Sequence, residues 1–373
     1  MERGLVKERR NWQKIVEKQG FIFHSVEGKY WDESACYAFR KKEILEIEKA
    51  TEELFSMCME AIEAVLHENR LKEFAIPEPF HERIRESWDA DEPTLYGRFD
   101  LAYDEGQIKL LEFNADTPTS LLEASVIQWY WLQDYENKLD QFNSIHEQLL
   151  EQFKYFRQRG IFHLHFACIT SSDEDYMTVA YLMDCAQQVG LEVKFIDIQD
   201  IGWDADREQF VDLYREEIKY CFKLYPWEFM LNEEFGRHTL AANTQWMEPF
   251  WKMLLSNKAI LKILWELYPN HPNLLPCYDQ PNHLKSYVKK PLLSREGANV
   301  TIVENGKLLQ ATQGEYGYEG YVYQAYFDLP EFSGNRPVIG SWVVGDTPAG
   351  IGIRETNSFI HDNLARFLPH YFY

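Results

Sequence analysis

Hydrophobic residues recur at every third or fourth position along residues 41–66, the spacing that places side chains on one face of an α-helix. This repeat predicts a long amphipathic helix, and Pro77 and Pro79 break the chain after it. Helical spacing returns in residues 121–156, which predicts one or two long helices. It returns again in residues 247–268, which predicts a further helix.

Residues 98–116, RFDLAYDEGQIKLLEFNAD, alternate between polar and apolar positions and predict a β-hairpin. With a three-residue loop at residues 105–107, Asp104 faces Ile108. The remaining pairs are then Asp100 opposite Glu112 and Arg98 opposite Asn114, with Phe99, Leu101, Leu111 and Phe113 on the core face. A two-residue loop would break this pairing.

From residue 160 onward, short apolar runs alternate with a helical segment. Residues 161–169 and 192–198 predict strands, residues 171–190 predict an N-capped helix ended by Gly190, and residues 218–230 contain a third strand. This order predicts a βαβ unit and a parallel α/β layer. His163 and His165 lie on one face of the first strand and are interpreted as core or packing residues. Residues 287–355 predict one curved antiparallel sheet.

Charge and cysteine content narrow the functional classes. The 373 residues carry a net charge of −22, which disfavours nucleic acid and anionic membranes as partners and tolerates cationic substrates such as amines, although it could serve solubility alone. The six cysteines form no CxxC pair, and scattered cysteines predict reduced thiols in a cytoplasmic protein. No secretion signal and no membrane span are expected.

The hairpin sets two carboxylates directly opposite each other, an arrangement that destabilises a sheet. Either one carboxyl group is protonated or a cation lies between them. Asp100, Glu112 and the amide oxygen of Asn114 are hard oxygen donors that suit Mg²⁺, and Arg98 beside them could hold a phosphate. The alternative is a surface hairpin in which Arg98 neutralises Asp100.

Two further segments carry candidate phosphate-binding groups. Lys289 and Lys290 end a strand before a proline and a polar loop that contains Gly297, and Arg354 follows a glycine-flanked strand. A Walker A motif is absent and no GxGxxG opens a helix, so any nucleotide site must be built on a sheet. The alternatives are a solvated strand end and an exposed ion pair.

Together these segments resemble the glutathionylspermidine synthase family of ATP-grasp ligases, and the resemblance covers nearly the whole chain. The matching stretches are RFD at residues 98–100, LEFNADTPTS at 111–120, KLYPWEFM at 223–230, EPFWKMLLSNKAILKILWELYPNHPNLLP at 248–276, YVKKPLLSREGANV at 287–300, YVYQAYFDLP at 321–330 and GIGIRETNSFIHDN at 350–363. The chain is most similar to stand-alone members that lack an amidase domain, so hydrolase activity is not expected.

The resemblance implies an α/β (α+β) ATP-grasp fold with an inserted pre-ATP-grasp-like α/β domain. Residues 1–120 and 230–373 would form the ATP-grasp region, and residues 121–229 the central α/β block. It also implies an enzyme that joins a carboxylic acid to an amine through an acyl phosphate, with ATP and Mg²⁺ as cofactors. The sequence leaves the oligomeric state open.

The resemblance also assigns roles to individual positions. The implied metal ligands are Asp100, Glu112 and Asn114. The implied catalytic residues are Arg98, which also touches the ATP phosphate, and Arg354, near the reacting carboxylate. The implied nucleotide contacts are Lys258, Lys290, Arg295, Gly297, Gln324, Ala325 and Tyr326, with residues 295–299 as a lid over the phosphates.

The substrate positions follow the family less closely. Thr117 stands where a serine helps to hold glutathione, and the following residues are more apolar. Glu174 and Asp175 fall near a carboxylate that contacts the peptide substrate, but they also suit the first turn of a helix. The resemblance therefore predicts the type of reaction more firmly than it predicts the identity of the substrates. Two other readings stay open: an ATP-binding partner or sensor without turnover, and an enzyme that phosphorylates a substrate without ligation.

Overall fold

The computed structural model describes residues 1–25, 28–281, 284–362 and 364–373. Asn363, the last residue of the stretch GIGIRETNSFIHDN, lies outside the described residues. The helices are α1 Trp12–Glu17, α2 Lys41–His67, α3 His81–Asp89, α4 Gln128–Glu136, α5 Ile145–Gln158, α6 Asp173–Gln188, α7 Trp227–Met230, α8 Met253–Ser256 and α9 Ala259–Leu267.

The strands fall into several sheets. They are β1 Glu2–Leu5, β2 Ala35–Phe39, β3 Tyr96–Asp104, β4 Gln107–Asn114, β5 His163–Cys168, β6 Glu192–Asp197, β7 Gly202–Asp204, β8 Gln209–Val211, β9 Tyr220–Leu224, β10 Gln245–Met247, β11 Cys277–Tyr278, β12 Tyr287–Pro291, β13 Thr301–Glu304, β14 Lys307–Ala311, β15 Tyr321–Ala325, β16 Arg336–Val344, β17 Thr347–Thr356, β18 Arg366–Leu368 and β19 His370–Phe372.

The last third of the chain forms two antiparallel sheets, so the prediction of one curved sheet is wrong. The central sheet has the order β18-β17-β16-β3-β4 and includes the predicted hairpin. The lid sheet has the order β11-β15-β12-β13-β14. The separation arises because β16 pairs with β3, with Gly340 opposite Asp100, whereas β15 pairs with β12 and β11.

The predicted βαβ unit is confirmed as a parallel sheet with the order β10-β9-β5-β6. Helix α6 joins β5 to β6 and begins with Ser172, whose side chain accepts a hydrogen bond from the amide of Asp175. Strand β10 was not predicted, and it extends this sheet beyond residue 229; the domain boundaries otherwise stay a prediction. A three-stranded sheet, β1-β2-β19, and a β7-β8 pair complete the described strands.

The predicted helices differ from the observed ones at one point that matters for the site. Helix α2 is confirmed, and residues 121–156 form two helices, α4 and α5. Residues 247–268 do not form one helix, because the chain leaves helical geometry at Asn257 between α8 and α9. The side chain of Asn257 accepts a hydrogen bond from Ala259 and donates one to the carbonyl of Phe74, which replaces the interrupted helical bonds.

Two predictions about surface and burial have different outcomes. His165 is buried on β5, as expected, but His163 is exposed and pairs with Glu192 at 2.7 Å, so its assignment to the core is wrong. All six cysteines are buried and free. None of the described helices combines the length and apolar character that crossing a bilayer requires.

A buried ion pair connects the hairpin to the parallel sheet. The ammonium of Lys223, on β9, donates to Asp116 at 2.8 Å, and the other oxygen of Asp116 accepts the amide of Trp227 at 2.8 Å. The Lys223 and Asp116 side chains are 0% and 1% exposed. This contact fixes the end of β4, and with it Asn114, against the first turn of α7.

Candidate active site

One cavity of about 680 Å³ lies between the central sheet, the lid sheet and the start of α6. Its walls include all of the predicted site residues except Asp175. Residues from six separate parts of the chain therefore meet in one place: Arg98, Asp100, Glu112, Asn114, Thr117, Glu174, Lys258, Lys290, Arg295, Gly297, Gln324, Ala325, Tyr326 and Arg354.

The predicted register holds at the site but not at the turn. Asp100 lies opposite Glu112 and Arg98 opposite Asn114, while Asp104 pairs with Gln107 across a two-residue turn. A β-bulge next to Asp100 restores the pairing that the shorter turn would have shifted. The prediction that Leu111 faces the core is wrong, since the bulge leaves Leu111 at the cavity wall and Leu110 in the core.

Asp100 is held by two arginines. Arg98 donates to one carboxylate oxygen at 2.8 Å, and Arg354 donates to the other at 2.7 Å. Arg98 also donates to the carbonyl of Thr119 at 2.6 Å. Gly340 makes room for it, because a Cβ atom at this position would lie 2.8 Å from the Arg98 side chain. Two guanidinium groups thus converge on one carboxylate at the cavity wall.

Glu112 faces the lysines instead. Lys258 approaches it at 3.3 Å and also donates to the carbonyl of Ser294, while Lys290 donates to the Leu111 carbonyl at 2.9 Å and to Gln324 at 2.8 Å. Burial would raise the pKa of the Glu112 carboxyl, but Lys258 and Lys290 lower it to about 2. Burial lowers the pKa of Lys290 to about 8, against the attraction of Glu112.

The donor set fits a magnesium ion. Asp100 and Glu112 supply carboxylate oxygens from adjacent strands, and Asn114, whose amide donates to Glu112 at 3.4 Å, can supply a carbonyl oxygen. Within the described part of the chain, no group of three or more His, Cys, Asp or Glu side chains could hold a metal ion. The set Asp100, Glu112 and Asn114 contains only two residues of these types. The arginine and lysine side chains around the two carboxylates balance their negative charge, as a bound metal ion would.

The loop of residues 295–299 turns at Gly297 through a backbone conformation that favours glycine. Gly297 has a φ of +67°, and a Cβ atom on it would collide with the carbonyl oxygen of His361. Arg295, two residues earlier, donates to the hydroxyl of Thr117 and to Glu228, each at 2.7 Å. The loop therefore lines the cavity, in contact with the hairpin end and with α7.

The predicted adenine segment, residues 324–326, lines the cavity. Gln324 is buried and bridges two elements, since it accepts from Lys290 and donates to the carbonyl of Leu110 at 2.9 Å. Ala325 and Tyr326 follow it along the wall. The cavity is also lined by apolar side chains, namely Leu275, Val288, Val300, Ile302, Phe327, Leu329, Val338, Phe359 and Ile360. Apolar side chains of this kind can pack against a flat ring.

The predicted substrate carboxylates differ in position. Glu174 lines the cavity, and burial together with Asp175 raises the pKa of its carboxyl group. Asp175 does not line the cavity. Burial raises the pKa of Asp175 to about 6, and its backbone amide donates to the N-cap Ser172. The structure thus brings Glu174, but not Asp175, into contact with the space that a substrate would fill.

Sequence reasoning missed several residues near the cavity. Tyr30 lines it and donates to Glu123 at 2.6 Å; burial and the nearby Glu174 raise the pKa of Glu123 to about 8. His361 also lines it, and burial together with Arg354 lowers its pKa to about 4. Glu123 reads as an ordinary helical residue, and His361 lies in the family-like stretch GIGIRETNSFIHDN without an assigned role. Tyr30 lies in KYWDESACYAF, residues 29–39, a further stretch that resembles the family.

Comparison with known proteins identifies the family of the chain. The family model described as glutathionylspermidine synthase preATP-grasp matches residues 3–373. A Haemophilus influenzae protein named "Putative acid--amine ligase" is 45% identical over 358 residues, covering 92% of this chain and 91% of that protein. The trypanothione synthetase of Crithidia fasciculata is 30% identical over 341 residues, covering 83% of this chain and 52% of that protein.

Two further comparisons concern a bifunctional relative and the fold. The bifunctional glutathionylspermidine synthetase/amidase of Escherichia coli is 27% identical, covering 84% of this chain and 55% of that protein. The chain thus spans about half the length of this enzyme and of the trypanothione synthetase. The apo structure of a glutathione synthetase-like effector from Globodera pallida has a TM-score of 0.58 at 10% identity, covering 90% of this chain and 89% of that one, which shows the mixed α/β fold alone.

Proposed function

The chain belongs to the glutathionylspermidine synthase family, and from this membership and the site we propose that it is an ATP- and Mg²⁺-dependent ligase. It would form an amide bond between a carboxylic acid and an amine through an acyl phosphate. The observation that carries the proposal is the pair Asp100 and Glu112, which face each other across two strands and are surrounded by arginines and lysines from distant segments.

Each group of residues has a distinct part in the proposed reaction. Asp100, Glu112 and Asn114 would hold Mg²⁺, which when bound would neutralise charge on the transferring phosphoryl group. Lys258 and Lys290 would bind phosphate oxygens, and Gln324–Tyr326 would flank adenine. Arg98 and Arg354 would orient the reacting carboxylate and stabilise the charge that develops on it. Gly297 and Arg295 would cover the phosphates.

The proposed substrates are a small peptide acid and an amine or polyamine, both small molecules. The names of the relatives support this class, since two of them are synthetases of glutathionylspermidine or trypanothione. The net charge of −22 favours the approach of a cationic amine. Glu174 at the cavity wall offers a carboxyl group to such a substrate, and Thr117 offers a hydroxyl group to the acid.

The test is ADP release with Mg·ATP against a matrix of acids and amines. The acids would include glutathione and other small γ-glutamyl peptides, and the amines spermidine, putrescine and amino acids. Release that requires both an acid and an amine would support the ligase. Release with an acid alone and a stable phosphorylated product would indicate a kinase instead. Nucleotide binding without release in any combination would indicate an ATP-binding protein that does not turn over.

Nucleotide affinity is expected to fall as the pH rises from 7 to 9. Because burial lowers the pKa of Lys290 to about 8, this side chain is charged below that pH and loses its proton above it in the free protein. Only the charged form binds phosphate, so the Kd of Mg·AMP-PNP should rise by up to about tenfold per pH unit above 8. Calorimetry across this range measures it.

Lys290→Arg provides the control for this pH dependence. Arginine stays charged throughout the range, so the variant should retain only the pH dependence that comes from the nucleotide itself. Equal slopes for the two proteins would remove Lys290 from the phosphate site.

A further inference from the structure

The guanidinium of Arg295 lines the same cavity as Lys258 and Lys290, yet its donors are engaged elsewhere. It donates to one oxygen of Glu228 from two nitrogens, at 2.7 and 3.2 Å, and to the Thr117 hydroxyl at 2.7 Å. Its carbon also lies 5.9 Å from the centre of the Phe229 ring. The lid arginine is therefore held at the edge of the site by α7 and the hairpin end.

Glu228 is the fixed member of this contact. It lies in the first turn of α7, where the amide of Trp227 is bound by the buried carboxylate of Asp116. Its side chain is only 14% exposed, which strengthens a charge-assisted hydrogen bond. Arg295 instead belongs to a loop between two strands, with left-handed backbone at Glu296 and Gly297. If the pair separates, the arginine is the partner that moves.

Phosphate and carboxylate compete for the same face of a guanidinium, because both bind it through paired oxygens. Three of the five N–H donors of Arg295 are used by Glu228 and Thr117. A nucleotide phosphate in the cavity must therefore displace Glu228 and Thr117 as acceptors before it can bind all the N–H donors of Arg295. The exchange would also release the hydroxyl group of Thr117 toward the proposed acid site.

We propose that Glu228 is a positioning residue that holds Arg295 away from the phosphates in the nucleotide-free protein, so that Glu228 and a bound nucleotide compete for this arginine. The inference rests on the proposed function only in requiring a nucleotide site. It concerns a residue outside that site, and it predicts that removing the Glu228 charge makes nucleotide binding tighter.

The experiment measures the Kd of Mg·AMP-PNP by calorimetry on the full chain. Glu228→Gln is expected to bind the nucleotide about three- to tenfold more tightly, since the population of released Arg295 increases. In an Arg295→Met background the same substitution should have no effect, which isolates the pairwise coupling. Thr117→Val removes the other acceptor with little change of shape and should shift affinity in the same direction by a smaller factor.

Glu233→Gln is the matched control. Glu233 is an exposed carboxylate shortly after α7, bound by the hydroxyl of Tyr225, and its loss changes the net charge equally. Unchanged or weaker binding in both Glu228→Gln and Thr117→Val would overturn the inference, as would equal tightening in Glu233→Gln. Absence of nucleotide binding by the unsubstituted protein would remove the proposed function as well, so the two failures are distinguishable.

Discussion

Replacing Asp100 by Asn, or Glu112 by Gln, is expected to lower turnover by about 10³-fold or more while the protein stays folded. Each substitution keeps the shape of the side chain but removes a charge that the proposed Mg²⁺ requires. The measurement is ADP release with the acid and amine identified by the matrix. Far-ultraviolet circular dichroism of the same samples reports the fold.

Asp104→Asn is the control for this pair. Asp104 lies on the same strand, at the turn of the hairpin and away from the cavity walls, and it undergoes the same chemical change. Its turnover should equal that of the unsubstituted protein. Normal turnover in Asp100→Asn or Glu112→Gln would contradict the proposed metal site.

Lys223→Met is expected to lower the free energy of unfolding by about 3–5 kcal/mol, because it leaves a buried charge without its partner. Lys223 is 0% exposed, and its ammonium binds Asp116, which in turn holds the first turn of α7. Urea unfolding followed by tryptophan fluorescence measures the change.

The control for this substitution is Lys154→Met. Lys154 pairs with Glu151 on the exposed face of α5, and its loss should change the free energy of unfolding by about 1 kcal/mol or less. The double variant Lys223→Met/Asp116→Asn should recover part of the lost stability, since neither partner then keeps a buried charge. A destabilisation by Lys223→Met no larger than that of Lys154→Met would refute the structural role of the pair.

Local pattern predicted several of the regular elements. The periodic apolar positions of α2 and the alternation of β3 and β4 are properties of neighbouring residues, so one sequence displays them fully. The order of strand, helix and strand between residues 160 and 230 likewise determined a parallel sheet.

The facing pair Asp100 and Glu112 was predicted through two errors that cancel. The turn is one residue shorter than expected, and a bulge supplies the residue that restores the register. No local pattern marks the bulge, because Leu110 and Leu111 are both apolar and either could face the core. Packing of Leu110 against the other core residues decided the question and left the Leu111 carbonyl to accept Lys290.

The sequence by itself determined the family, helices α2 and α6, the hairpin and the kinds of residue that could bind a metal and phosphates. The tertiary structure decided which of them meet: β16 pairs with β3 across more than two hundred residues, Arg354 reaches Asp100, and Glu228 holds Arg295. Such contacts depend on long-range burial and on competition among many partners, and neither leaves a periodic signal in a single chain.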